Sequence, residues 1–498
     1  MSTKKYEVLI PAKTDQTGGS DCDCSGGDCA CSVSPLAYTE SLTMKQLASQ
    51  DLNKFKIPPL SQFAIIKDGH RIFYGPFHQV VVLNKAGQDL LSTFNNSEKC
   101  EYNLDDLELW ETITKFLDHG LIRDTNTTLS SVRAEYQTLN AWLHLTDRCN
   151  LRCSYCYLPH VREDMSLETG YATIDATFRS ALANGFKQVK LKYAGGEPLL
   201  RFPLIIELHN YAQSLAEKNV LGLEGVVLSN GTLLAPDMIE TLKSLDLRLM
   251  ISLDGMGKYH DSHRPYAGGR GSFADVAEAV DLALANGLVP NISLTVSSRT
   301  AEGLPEVMAW ILERDLPFSL NFYRENELSA SHEDMRLDEE KIINGMLAAF
   351  KVIEHNLPRR SLLGGIIDRA NLSASHAHTC GVGQNYLVFD QNGQIAKCQM
   401  HIRKPITDVY VADPLAVIRA DQIGIQNLSV EEKEGCKTCE WKYWCTGGCP
   451  LETYRATGRY DVKSPNCNIY KALYPKAVRL EGLRLLKYQD DPEVVVKL

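Results

Sequence analysis

No stretch of this 498-residue chain approaches the roughly 20 consecutive apolar residues of a membrane-spanning helix. A surplus of positive charge is missing too. Lys and Arg number 52 against 62 Asp and Glu, and a net charge of −10 gives no reason to expect nucleic acid or an anionic membrane as partner. Lys4 and Lys5 precede only a short apolar run at 8–10, too little for a secretory signal core, so a cytoplasmic setting is expected. Charged residues at 23% and a mean hydropathy of −0.20 exclude wholesale disorder. The length suggests about three domains. What the chain has in excess is cysteine, 15 in all, and in a reducing compartment clustered thiols point to metal rather than to disulfides. Four lie between Cys22 and Cys31, three between Cys149 and Cys156, seven between Cys380 and Cys467, and Cys100 stands alone as a small packing residue.

Residues 1–57 read as a flexible leader, Gly/Ser/Asp-rich at 14–34. A small module follows at 58–130. Strands at 63–66 and 71–74 flank an Asp68-Gly69 turn, and a third strand is expected at 80–83. Asn84 caps a helix reaching Phe94, and a second helix places Leu107, Trp110, Ile113, Phe116 and Leu117 on one face before Gly120 stops it. Three strands with two such helices suggest a winged-helix-like domain.

From 138 to 335 strand, loop and helix alternate. Strands are expected at 141–145, 188–193, 224–228, 248–252, 290–297 and 317–323, and helices at 168–184, 203–217, 236–244, 273–286 and 303–314. Six such units make an α/β fold with a parallel sheet curled into all or part of a barrel, with function on the loops after the strands. Residues 336–379 read as a helical connector, 380–470 as a cysteine-dominated domain, and 471–498 as a C-terminal helix or tail.

The first barrel strand leads into Cys149-x3-Cys153-x2-Cys156. Three thiolates on one loop can converge on three corners of one iron-sulfur cube and leave an iron open; with a distant fourth cysteine they could instead close a zinc site. After the second strand comes Ala194-Gly195-Gly196-Glu197-Pro198. In this order the two motifs resemble those of the radical S-adenosylmethionine (SAM) enzymes. The resemblance implies that the open iron chelates the amino and carboxylate groups of SAM, and that electron transfer then yields a 5′-deoxyadenosyl radical. It places Tyr155 near the adenine, and Gly195, Gly196 and Glu197 at the SAM amino group. Ser252-Leu253-Asp254-Gly255 and His260-Asp261-Ser262-His263-Arg264 resemble the subgroup with the anaerobic sulfatase maturases, which puts Ser252 and Arg264 near the ribose and carboxylate of SAM. Arg264 read without that resemblance is a solvated charge, and Ser229-Asn230-Gly231 is either a plain turn or a further SAM contact.

The tail reads Cys380-x12-Gly393-x4-Cys398, then Cys436-x2-Cys439-x5-Cys445-x3-Cys449, then Cys467. Paired Cys-x2-Cys spacings also suit zinc, but the full pattern resembles the SPASM extension of radical SAM enzymes. That family carries two auxiliary clusters. Carried over in order, Cys436, Cys439, Cys445 and Cys467 close the distal one, and Cys380, Cys398 and Cys449 supply three ligands to the proximal one. Sulfatase maturases have an eighth cysteine shortly after the first, and residues 381–386 contain none. The proximal cluster is therefore open or ligated from elsewhere.

The expectation is a partial (β/α)6 radical SAM barrel with a winged-helix-like and a SPASM domain, SAM and three [4Fe-4S] clusters. The expected activity is modification of a ribosomally made peptide. A substrate thiolate on an open proximal iron would lead to a thioether crosslink. Maturation of a folded protein, a carbon-carbon link, epimerisation and a non-catalytic cluster scaffold are the alternatives. The module at 58–130 would bind a leader of the precursor peptide as an added strand, and flavodoxin or ferredoxin would donate electrons. Arg324 and Glu325, after the sixth strand, are candidates for substrate contact and proton removal, or else belong to a salt-bridged loop. Cys22, Cys24, Cys29 and Cys31 bind a further metal, mimic a substrate, or are simply thiols of a flexible tail.

Overall fold

The computed structural model describes residues 5–12, 46–47, 51–58, 62–75, 78–95, 105–125, 136–373 and 375–497. Cys22, Cys24, Cys29, Cys31 and Cys100 lie outside the described residues.

Strand β1 (Val8–Pro11) is followed by β2 (Phe55–Lys56), β3 (Gln62–Ile65), β4 (Arg71–Gly75), β5 (His78–Leu83) and β6 (Arg123–Asp124), the last paired with β2. Asp68 and Gly69 take φ values of 53° and 77°, the two left-handed positions a tight β3–β4 hairpin requires. The helix Lys85–Thr93 is capped by Asn84, whose Oδ1 accepts from Gly87 N at 2.9 Å. The helix Leu107–Asp118 buries Leu109, Trp110, Ile113, Phe116 and Leu117. Leu107, expected on that face, is the first helical residue and points to solvent; Leu109 takes its place. The antiparallel sheet runs β16-β1-β5-β4-β3, its far strand β16 (Val495–Lys497) coming from the other end of the chain. Strands β1 and β16 fall in stretches read from sequence as leader and tail, and both are built into this sheet. Its two faces are both covered. Leu9, Ile72, Tyr74, Val80 and Val82 face the main core, and Val8, Ile10, Phe73, Val81 and Leu83 face the two helices. That explains continuous apolar runs where alternation would be the rule for a one-sided sheet.

The central sheet holds β7 (Thr138–His144), β8 (Gln188–Ala194), β9 (Gly222–Ser229), β10 (Leu247–Ser252), β11 (Asn291–Val296) and β12 (Phe318–Phe322), all parallel and in chain order. Helices Leu167–Ala183, Phe202–Asn219, Pro236–Ser244, Phe273–Ala285 and Leu304–Glu313 connect them, so the six-unit α/β barrel expected from sequence is the fold. Gly185 and Gly287, at φ 72° and 70°, end two of these helices as left-handed stops. The sheet is open. Strand β13 (Tyr386–Phe389) joins β7 in parallel, and β14 (Gln394–Ala396) and β15 (Thr407–Asp408) extend it antiparallel, so the cysteine-rich region continues the barrel sheet. The final helix, Cys467–Lys487, starts at a cysteine and packs against β1, β3, β4 and β5. It crosses the boundary placed at 470.

Candidate active site and thiol groups

Thr146 and Arg148 begin the cysteine loop after β7, and the Gly-Gly turn after β8 lies directly on them. Gly196 N donates to Thr146 O at 2.6 Å and Glu197 N to Arg148 O at 2.8 Å. A Cβ at Gly196 would stand 2.2 Å from Arg148 O, so only glycine allows the two loops to meet. Glu197 is fully buried. Its carboxylate accepts from Leu199 N at 3.0 Å, Ser229 Oγ at 2.8 Å and Asn230 N at 2.8 Å, which leaves one of its lone pairs for a ligand. Burial raises its pKa, and these donors oppose the rise. Ser229 also accepts from Gly231 N at 2.9 Å, so its hydroxyl is committed to shaping the turn. Asn230 Nδ2 donates to Asn150 Oδ1 at 2.9 Å and reaches Cys149 Sγ at 3.8 Å, while Leu151 N donates to the same sulfur at 3.4 Å.

Beneath the loop lies a buried polar network. Tyr155 OH donates to Asp254 Oδ2 at 2.6 Å and accepts from Arg264 Nη1; Asp254 Oδ1 accepts from Thr295 N at 2.8 Å. His263 Nδ1 lies 3.4 Å, and Arg264 Nη1 3.8 Å, from Asp254 Oδ2. Burial alone would raise the Asp254 pKa, but His263 and Arg264 hold it well below the usual carboxylate range. Asn326, after β12, donates to Tyr155 O at 2.9 Å and ties the cysteine loop to the far barrel strand. Ser252 is half-buried at the end of β10, beside Ser293. Arg264 Nε is buried without a hydrogen-bond partner, an orphaned donor that suits an anionic group. Its charge also acts on Cys149, Cys153 and Glu197. The sequence assigns no separate role to Asp254, His260 or Asn326, and to Asn230 only as part of the Ser229-Asn230-Gly231 stretch. Asp254 lies within the Ser-Leu-Asp-Gly motif, and a carboxylate shortly before His263 and Arg264 is the signal that points to it.

The tail thiols form two groups. Cys436, Cys439, Cys445 and Cys467 line one pocket, walled by Trp441, Tyr470 and Tyr474. Cys380 and Cys449 sit in an apolar cluster with Trp142, Ala194 and Tyr386, and Cys398 and Cys156 pack against that same cluster. Burial pushes the thiols of Cys149, Cys156, Cys380 and Cys436 up to about 12 and that of Cys398 to about 11, and raises Cys153 and Cys445 as well. Buried, otherwise protonated thiols in groups of three and four suit ligation by iron, which must displace those protons. Among the described residues no three His, Cys, Asp or Glu side chains converge tightly enough to hold a single metal ion. One zinc would need sulfurs within about 4 Å of one another.

The two residues after β12 both stand in ion pairs, as the salt-bridged reading has it. Arg324 Nη2 grips buried Asp368 at 2.7 and 2.8 Å, with Tyr470 OH 3.3 Å from the same carboxylate. Glu325 binds Arg336 Nε at 2.5 Å in a half-exposed pair, and its backbone carbonyl accepts from Arg455. The loop after β12 is thus tethered at both residues, Arg324 by a carboxylate and Glu325 by a guanidinium, partners that chain position does not identify.

Residues 143–310 match the family model described as the Radical SAM superfamily. The Fe-coproporphyrin III synthase of Methanosarcina barkeri is 28% identical over 371 residues, covering 66% of this chain and 87% of that protein. The cysteine-type anaerobic sulfatase-maturating enzyme of Clostridium perfringens is 24% identical over 329 residues, 60% of this chain and 85% of its own length. An uncharacterized protein of Methanocaldococcus jannaschii is 30% identical over 171 residues, 34% of this chain and 57% of that protein. The structure described as native anSMEcpe with bound AdoMet superimposes with a TM-score of 0.55 at 20% identity, over 69% of this chain and 98% of that one, which shows a shared fold. The chain carries a radical SAM domain over residues 143–310, followed by a cysteine-rich C-terminal extension. Its barrel is a radical SAM catalytic domain that uses SAM and iron-sulfur chemistry.

Proposed function

We propose that the chain is a maturase, a radical SAM enzyme that oxidises a residue within a peptide or protein segment. One observation carries the reading: similarity to sulfatase-maturating enzymes covers 60–62% of the chain, more than the barrel alone accounts for. A structure of this fold is described with AdoMet and a Cp18Cys peptide bound, at a TM-score of 0.55. When loaded, a cluster on Cys149, Cys153 and Cys156 supplies one electron to SAM and thereby hydrogen-abstracting chemistry.

The chain's own residues bind and orient. Glu197 offers its remaining lone pair, with the Gly195–Gly196 backbone, to the SAM amino group. Arg264 presents its orphaned Nε to the SAM carboxylate, held in place by Tyr155 and Asp254. Tyr155 and Ser252 border the adenosine, and Ser229 acts by fixing Glu197. Cys380, Cys398 and Cys449 hold a proximal cluster and Cys436, Cys439, Cys445 and Cys467 a distal one, three [4Fe-4S] clusters in all. A flavodoxin- or ferredoxin-type donor supplies electrons.

A thioether crosslink on a leader-bearing peptide is the second reading, and a specific surface favours it. Among the described residues strand β3 ends the sheet, and it carries Phe63 and Ile65 at 58% and 67% exposure, suited to an added strand. Anaerobically reconstituted enzyme, reduced with SAM, is expected to release 5′-deoxyadenosine; SAM bound but never cleaved sinks the proposal. Mass spectrometry of the substrate then separates the readings. Loss of two hydrogens with substrate thiols intact supports residue oxidation, and the same loss with a thiol consumed supports the thioether. Turnover of iron-coproporphyrin instead of any peptide overturns both. For the second reading, F63E/I65E is expected to raise KM for a leader-bearing peptide about tenfold and leave SAM cleavage without peptide unchanged.

A further inference from the structure

Lys433 is 1% exposed, yet no carboxylate stands at ion-pair distance from it among the described residues. The buried Lys397, by contrast, is paired with Asp421 at 2.8 Å. A buried ammonium without an anion is costly, so its surroundings must supply the negative charge. The Lys433 Nζ donates to Thr446 O at 2.6 Å, and its charge acts on Cys436 and Cys445 of the four-thiol group and on Cys380 and Cys449 of the other.

The carbonyl it grips sits at the junction of the two groups. Thr446, Gly447 and Gly448 take φ values of 51°, 82° and 69°, three left-handed residues in succession that turn the chain from Cys445 to Cys449. Thr446 O also accepts from Thr379 Oγ1 at 3.1 Å, beside Cys380, and Thr379 reaches Gly448 O at 2.9 Å. A Cβ at Gly447 would stand 2.6 Å from Lys433 Cδ and 3.4 Å from Cys436 Sγ, so lysine, turn and thiol are stacked without spare room. One peptide group thus gathers the segments that carry thiols of both groups.

We propose that Lys433 is a shared counter-ion of the two auxiliary sites, a positioning residue whose fixed charge sets the reduction potentials of both together. The inference rests on the reading that each thiol group holds an iron-sulfur cluster. A cation close to a cluster favours the state with one more electron, and net charge and hydrogen bonding around the sulfurs are the protein's means of tuning potential. Lys433 would therefore keep both auxiliary sites easier to reduce, in step, while the loop cluster has Arg264 for the same purpose.

The test is EPR-monitored redox titration of the reconstituted full chain in a background with Cys22, Cys24, Cys29, Cys31, Cys149, Cys153 and Cys156 changed to Ala, which leaves the tail thiols to take up iron. K433M is expected to move both midpoint potentials to lower values, and K433R to leave both near those of the lysine protein. Iron-replete K433M with either potential unmoved overturns the proposal. If K433M loads incompletely, joint loss of iron from both groups with K433R fully loaded supports it, and loss confined to one group overturns it. Lysine protein that loads only one cluster refutes the two-cluster reading itself, a result distinct from two clusters indifferent to residue 433.

Discussion

Gly196 shows how little room the site leaves a residue. Its α-hydrogen faces the Arg148 carbonyl, and any methyl there would overlap it at 2.2 Å. G196A is expected to lower stability by about 1–3 kcal/mol through forced separation of the two loops, and to abolish SAM cleavage because Glu197 and Cys149 move with them. Thermal unfolding together with a 5′-deoxyadenosine assay checks it, and a variant of unchanged Tm and turnover would contradict the geometry. His260 makes a different demand. Asp254 N donates to its Nδ1 at 3.2 Å, so Nε2 carries the hydrogen toward Ser272 Oγ at 3.0 Å, and Ser272 donates onward to Arg264 O at 2.5 Å. The bond accepted by Nδ1 requires the neutral ring, since a protonated Nδ1 cannot accept. Burial pushes the His260 pKa down to about 4, against roughly 6.5 in an unfolded chain. Between those values only the unfolded chain takes up the proton, so this stabilisation is complete above about pH 6.5 and is lost as pH falls toward 4. Across that window the wild type is expected to lose up to about 3 kcal/mol more than H260Q. Denaturant unfolding at the two ends of the window measures it; parallel losses would exclude His260 as the source. The motif around Asp254 was visible in sequence, but the polar network was not, because its members come from four separate loops and only folding sets their distances.

At the scale of elements, local patterns carried most of the barrel. Six strands and five helices fell within a few residues of their expected places, since each has its own apolar period and a glycine, proline or capping stop. Strands β1 and β16 escaped notice for the opposite reason. Val8–Pro11 is a short apolar run that becomes a strand only by pairing with residues at the far end of the chain, and β13 likewise needs β7. Tyr74 on β4 shows what such long-range assembly achieves. Its ring stacks on Trp441 at 5.2 Å and meets Trp444 at 6.1 Å, the two tryptophans that lie between Cys439 and Cys445. Y74A is expected to cost about 3–5 kcal/mol, as for other buried aromatics, and to lower iron retention in the four-thiol group during chelator challenge. Equal retention in the two proteins would mean that the N-terminal sheet covers that pocket without bracing it.

For the whole molecule, the ends of the chain and the distal thiols belong to one mechanical unit. Cys467 opens the helix Cys467–Lys487, that helix runs beneath β1, β3, β4 and β5, and the chain then returns as β16 to pair with β1. Gly482, in its last third, lets Ile66 and Ile72 press onto the helix, since a Cβ there would stand 3.0–3.2 Å from their methyl groups. If Cys467 is bound in a cluster, the helix is anchored at its first residue, and ligand binding to the folded form stabilises whatever the helix supports. Removing that anchor should then be felt in the N-terminal sheet, far along the sequence, more than in the barrel, where β8 to β11 have their own parallel neighbours and helices. In reconstituted C467A, amide hydrogens of β4 and β5 are expected to exchange at least about tenfold faster than in the parent protein, equivalent to about 1.4 kcal/mol of local opening, with those of β8 to β11 unchanged. Hydrogen exchange read by mass spectrometry resolves these segments. Uniform acceleration across both sheets would show that the helix anchors the fold globally, and no acceleration in β4 and β5 would show that Cys467 is not its anchor.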